Sequence, residues 1–238
     1  MRVKQLTFQF RWIPFAAAMF VMVVGIMLGN WQTRRAAEKI AIEHSIAERA
    51  AQPAVDLNKP FSSADIEYRR VSVEGVFMAD WPVYLDNRPY QGKAGFTLMM
   101  PLRLTKSDDV VLVARGWFPR NAVERTRLPA VPVPSGPVRI EGVAHHSAGH
   151  VLQLGQAAAI EPGAIVQNLE PAEFARVSKL PLQNFIIEQT SDTSDTLVRD
   201  WPQASAGVDK HRGYAFQWYA LAATALVFFL VTGFRRAR

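Results

Sequence analysis

His211, Tyr214 and Trp218 recur at helical spacing in "DKHRGYAFQWYALAATALVFFLVTGFRRAR", so 211, 214, 215 and 218 share one helical face. A neutral imidazole can ligate haem iron, and aromatic neighbours can pack on a flat macrocycle. Arg212, Arg34 and Arg35 could pair with propionates at the same height. The competing reading needs no ligand: Tyr and Trp anchor a helix at the lipid headgroups while the histidine faces water. A second group of histidines, His145, His146 and His150, lies in "HHSAGH". On a strand the first two point to opposite faces and cannot easily share a metal. With no Cys and no adjacent Met, soft copper ligation is poorly served, and a solvated loop is the preferred reading.

Other chemistry is missing. The chain has no G-x-S-x-G, H-E-x-x-H, G-x-x-x-x-G-K-[ST], or G-x-G-x-x-G after a strand, and its carboxylates are scattered. These absences favour a non-enzyme.

The elements that must position His211 are two apolar runs, Trp12 to Trp31 and Tyr214 to Phe234, neither carrying a charge. Twenty helical residues cover about 30 Å, the hydrocarbon thickness of a bilayer, so both runs are expected to be transmembrane helices. Arg2, Lys4 and Arg11 precede the first run and Arg235, Arg236 and Arg238 follow the second. That leaves 21 basic residues against 21 acidic ones between the runs, so the net +6 lies in the tails. By the positive-inside rule both termini are cytoplasmic, and no basic face for nucleic acid is required. The first run is too long for a cleavable signal peptide and leads into the bulky "GNWQTRR", which reads as an uncleaved anchor. "GIMLG" (Gly25 to Gly29) invites close helix approach, either from Ala220 and Thr224 of the same chain or from a foreign subunit.

The expected organisation is a cytoplasmic tail (1–11), a transmembrane helix (12–31), a periplasmic domain with an N-terminal helical stalk (32–213), a second transmembrane helix (214–234) and a short tail (235–238). The stalk is supported by Arg34–Glu38 and Lys39–Glu43 at i,i+4 and ends before Pro53. Alternation predicts strands in "YRRVSVEGVF", with Val71, Val73 and Val76 inward, and in "VYLDNRP", "GFTLMMPLRL", "DVVLVARGWFP", "PVRIEGVAHH" and "NFIIEQT". The third and fourth pair about Lys106-Ser107-Asp108, and "EPAEFARVSKL" reads as a short helix. The fold class is therefore membrane α+β: two terminal transmembrane helices flanking one α+β domain with a mainly antiparallel sheet.

Four stretches also resemble one family. "LGNWQTRRAAEK" looks like its G-x-W-Q-x-x-R segment, giving Gly29, Trp31, Gln32 and Arg35. "YRRVSVEGVF" is close to its characteristic strand, and "VLVARGWFP" to its V-N-R-G-W-x-P, with Ala114 where Asn is usual. "HRGYAFQWYALA" is similar to the H-x-x-Y-A-x-x-W that opens its second helix. In this order and between terminal membrane helices, they resemble the Surfeit-locus (Shy-type) cytochrome c oxidase assembly factors. The resemblance implies an integral protein of the bacterial plasma or inner mitochondrial membrane that assists assembly of haem-copper oxidases, delivering or stabilising haem a for subunit I; the eleven-residue tail favours the bacterial plasma (inner) membrane. Its partners would be subunit I and other oxidase assembly factors. By the same resemblance, His211 corresponds to the histidine associated with haem. The expected site has His211 on the iron, Tyr214, Trp218 and Trp31 against the ring, and Arg35 or Arg212 on the propionates. The alternative is a cofactor-free scaffold that contacts oxidase subunits through "GIMLG" and the domain.

Overall fold

A computed structural model describes residues 6–153, 155–201 and 207–236; Arg2, Lys4 and Arg238 of the charge pattern lie outside them. The chain divides into two compact units, one built from its two ends up to Ser45 and from Pro202 onward, the other from Ile46–Trp201.

In the first unit, β1 (Leu6–Phe8) is followed by α1 (Trp12–Ala51), a single 40-residue helix. Pro14 falls in its first turn, where a missing N–H leaves no intrahelical bond unmade. Glu38 pairs with Arg35, 2.9 Å away, rather than with Arg34. The returning helix α3 (Val208–Gly233) starts six residues before Tyr214, so His211 lies inside it. β10 (Phe234–Arg236) pairs antiparallel with β1. The Phe8, Phe10 and Phe15 rings lie 5.5 to 6.0 Å from Phe229, tying the far ends of the helices together. Both helices are long and apolar enough to cross a membrane.

The second unit contains β2 (Val55–Asp56), β3 (Arg70–Phe77), β4 (Val83–Leu85), β5 (Gly95–Leu104) and β6 (Val110–Pro119). It continues through β7 (Val138–His145), β8 (Ile165–Val166), α2 (Pro171–Ser178) and β9 (Leu182–Gln189). Each predicted strand is present, the β5–β6 pair is antiparallel, and the short helix stands where expected. Two expectations need correcting. The sheet runs β2-β3-β7-β9-β6-β5-β4-β8, and an added β3–β5 pairing closes β3, β7, β9, β6 and β5 into a barrel-like ring. Parallel pairs β2–β3, β6–β9 and β4–β8 accompany the antiparallel ones, so the sheet is neither open nor simply antiparallel. Closure depends on Gly75, because a Cβ there would collide with the carbonyl oxygen of Arg103 across the β3–β5 seam. The second correction is Val76, which is 39% exposed. The period of two set by Val71 and Val73 continues to Gly75 and Phe77, which turns Val76 outward.

β5 and β6 are buried on both faces. Leu98, Met100, Leu102, Val111 and Val113 join the barrel interior with Val71, Val73, Ile140, Phe185 and Ile187. Met99, Leu112 and Ala114 face a second core under Val83, Val166, Leu169 and the α2 residue Phe174. Arg115 is 0% exposed; it donates to Asp195 Oδ2 at 2.9 Å and Pro132 O at 3.0 Å, and lies 4.7 Å from the Phe77 ring centre. Arg199 reaches the same carboxylate at 2.6 Å. Trp117 Nε1 donates to Arg88 O at 2.6 Å, and Gly95 leaves room for its indole. Arg69 and Arg70 donate to Pro53 O and Gln52 O at 3.0 and 3.3 Å, satisfying carbonyls just beyond the end of α1. The "YRR" and "ARGW" motifs are thus explained by packing and hydrogen bonding.

Candidate functional site

The end of the hairpin that carries His211 is set by a seam of mostly small residues. On α1 the buried positions are Gly25, Gly29, Gln32 and Ala36, spaced four, three and four apart. On α3 they are Ala215, Ala222, Phe229 and Gly233. This near-heptad spacing keeps one stripe of each helix facing the other, and small side chains let the backbones approach. A Cβ on Gly25 would stand 2.9 Å from Trp218 O and 3.0 Å from Ala222 Cβ, while one on Gly29 would strike the Tyr219 ring. The "GIMLG" motif therefore packs within the chain, against Trp218, Tyr219 and Ala222 rather than Ala220 and Thr224. Tyr219 OH donates to Asn30 Oδ1 at 2.7 Å, fixing one flank.

His211 and Gln32 meet across this seam. His211 Nδ1 is 2.7 Å from Gln32 Oε1, and Gln32 is 9% exposed. An amide oxygen only accepts, so with Oε1 facing the ring Nδ1 is the donor, and in the neutral ring Nε2 then carries the lone pair. Among the described residues no hydrogen bond reaches Nε2.

Each helical residue turns about 100°, which sorts the remaining candidates by flank. Arg212, Phe216 and Tyr219 turn to one side of α3 and, with Thr33, Ala36, Ala37 and Ile40 of α1, line a hollow of about 410 Å³. His211, Tyr214 and Trp218 turn to the other side. On α1, Trp31 and Arg35 turn away from Thr33 and Ala37, towards the His211 side of this antiparallel pair. Five of the six expected residues thus share a side, and Arg212 does not. Tyr214 is 52% and Trp31 47% exposed, so two aromatic side chains stand open on that side. Among the described residues Arg35 pairs with Glu38, at the surface. This set could hold a planar iron complex, since it offers one imidazole nitrogen with no hydrogen bond among the described residues, exposed aromatic rings, and a surface guanidinium.

Sequence reasoning passed over Gln32 as a contributor, although the motif contains it. Its place in the Gly25–Gly29–Gln32–Ala36 spacing was the available signal, because a polar residue in an otherwise small, apolar seam needs a partner.

The other histidine group is differently engaged. His145 lies between Glu188, 3.2 Å from its Nε2, and Glu67, 3.8 Å from its Nδ1, with the Tyr68 ring centre 5.3 Å away. The His146 backbone N–H donates to Glu67 Oε2 at 2.5 Å. Burial opposes a charged His145 ring, but Glu188 and Glu67 outweigh it and hold its pKa above the ordinary 6.5. Among the described residues no three metal-competent side chains converge, here or elsewhere.

Comparison with known proteins matches residues 19–223 to a family model described as the SURF1 family. A "SURF1-like protein" of Rickettsia bellii is 28% identical over 227 residues, spanning 90% of this chain and 88% of its own length. One from Rickettsia felis is 28% identical across 87% of this chain and 90% of its own. The "Cytochrome oxidase assembly protein SHY1" of Saccharomyces cerevisiae is 28% identical over 109 residues, covering 44% of this chain and 28% of the yeast protein.

Proposed function

We propose that this chain, which belongs to the SURF1 family, assists cytochrome oxidase assembly by holding haem a for subunit I at the outer end of its membrane hairpin. The assembly role rests on the family and on the named activity of the yeast relative. In this reading both apolar helices span the bacterial inner membrane, both termini are cytoplasmic, and the barrel unit is periplasmic. The positive tails support that orientation.

The observation that carries the haem reading is the common side of His211, Tyr214, Trp218, Trp31 and Arg35. His211 Nε2 would be the nitrogen that holds the iron. Tyr214, Trp218 and Trp31 would pack beside the ring and exclude lipid and water from it. Arg35, whose Glu38 partner is exposed, would meet a propionate, a charge-assisted contact of the kind guanidinium makes well. Arg212 has no part on this side. One imidazole would be the chain's single ligand to the iron, which would suit cargo that must be released. No catalytic step is assigned to the chain.

The test is to purify wild-type and His211→Ala protein in detergent from cells that also make haem a, and to record absorption spectra. The expected result is a haem spectrum that the substitution abolishes while the protein remains folded; equal haem content would remove His211 from the site. The alternative scaffold role through "GIMLG" is disfavoured by the seam, because Gly25 and Gly29 are already covered by α3.

A further inference from the structure

We infer that Gln32 is the positioning residue of His211: it fixes the ring in the Nδ1–H tautomer and aims Nε2 out of the seam as a lone-pair donor. The inference rests on the haem reading only for what Nε2 then binds; the tautomer and ring position stand without it.

A buried amide is an unusual choice at this position. The neighbours of Gln32 in the seam are Gly25, Gly29 and Ala36, which pack by shape alone. An apolar side chain of similar length would fill the space without the desolvation that an amide suffers on burial. Its oxygen is instead 2.7 Å from His211 Nδ1, across 179 residues of sequence. An imidazole has two nitrogens, and the one holding the hydrogen cannot ligate. Left in water, a neutral histidine favours hydrogen on Nε2, the wrong nitrogen for a ligand that must point away from α1. An acceptor on Nδ1 reverses that preference, and the same bond stops the ring from rotating. Hydrogen bonds behind a ligating histidine commonly do both things, and their loss typically costs about 10- to 100-fold in metal affinity.

The start of α3 is arranged to hold the ring there. Gly207 caps the helix with φ +105°, a conformation L side chains rarely adopt, and its carbonyl accepts from His211 N–H at 3.3 Å. Backbone and side chain of His211 are therefore fixed from two directions.

The test has a readout that needs no haem. In apoprotein labelled with ¹⁵N-histidine, at about pH 8 where imidazole is ordinarily neutral, nitrogen shifts report the tautomer. The His211 signal among the five histidines is identified by its loss in His211→Asn. The expected result is Nδ1–H in wild type, Nδ1–H in Gln32→Glu, whose carboxylate also accepts, and a mixture or Nε2–H in Gln32→Leu. Haemin titrated into the same detergent-purified apoproteins should bind about 10- to 100-fold more weakly to Gln32→Leu, with affinity restored in Gln32→Glu. The carboxylate should also lower the haem midpoint potential, a change that packing alone would not produce. An Nε2–H tautomer in wild type, or one tautomer and one affinity throughout the series, would overturn the positioning role. Haemin affinity unchanged in His211→Ala would instead sink the haem reading and leave the tautomer result standing.

Discussion

Arg115 and His211 both belong to stretches that resemble family motifs, yet their surroundings differ in kind. In the barrel, Arg115 is enclosed, bonded to Asp195 and a backbone carbonyl, and laid over Phe77. In the hairpin, His211 gives one nitrogen to Gln32 and leaves the other unbonded on a side where Tyr214 and Trp31 are open. The difference teaches how to separate motif residues without regard to their type. A polar group enclosed by its own fold is structural, whereas one held from behind with its far atom without a hydrogen bond is where a ligand is proposed.

The largest test of that contrast lies in the barrel. Replacing Asp195 by Ala leaves Arg115 buried without its counter-charge, and the barrel should lose about 3–5 kcal/mol. Denaturant unfolding followed by tryptophan fluorescence measures it, and a loss below about 1 kcal/mol would place Arg115 in the ligand-ready class after all.

A smaller effect is expected from Gly25→Leu, which forces side-chain atoms into Trp218 O and Ala222. Overpacking should cost about 1–3 kcal/mol in the hairpin and weaken haem binding by displacing His211 from Gln32, while barrel unfolding stays unchanged. Gly29→Ala should also cost stability, because its Cβ would lie 2.5 Å from the Tyr219 ring, which must shift from its bond to Asn30. Wild-type hairpin stability in Gly29→Ala would show the seam to be wrongly drawn.

The smallest effect is pH dependence at His145. Its raised pKa means that the charged ring stabilises the fold fully below about pH 6.5, and that this contribution fades as pH rises through the folded value. Barrel melting temperature should fall slightly between about pH 6 and pH 8, and His145→Gln should flatten that slope. A slope that survives the substitution would assign it to another group.

Much of the fold was legible because alternation is local. Val71 and Val73 mark an inward face from sequence alone, although Val76 was wrongly joined to it, and Pro53 marks the end of α1. Pairing partners were not legible: β9 lies between β6 and β7 through contacts far apart in sequence, and nothing in "NFIIEQT" specifies a parallel neighbour. The β1–β10 ribbon is only three residues a side, too short to leave a periodic signal. At the candidate site, residue types and helical spacing put His211, Tyr214 and Trp218 on one face, and α3 is helical over all three. The side on which each arginine falls depends on which stripe of α1 meets α3, and that was fixed only once Gly25 and Gly29 were seen against Trp218, Ala222 and Tyr219. The same rotation then separates Arg35 from Arg212.

The most direct measurement compares haem bound per protein in His211→Ala with that in the triple variant His145→Ala, His146→Ala, His150→Ala, both purified from cells making haem a. The prediction is no haem in the first and wild-type haem in the second. Haem retained in the first and lost in the second would put the ligand on the barrel and contradict the contrast drawn between the two units.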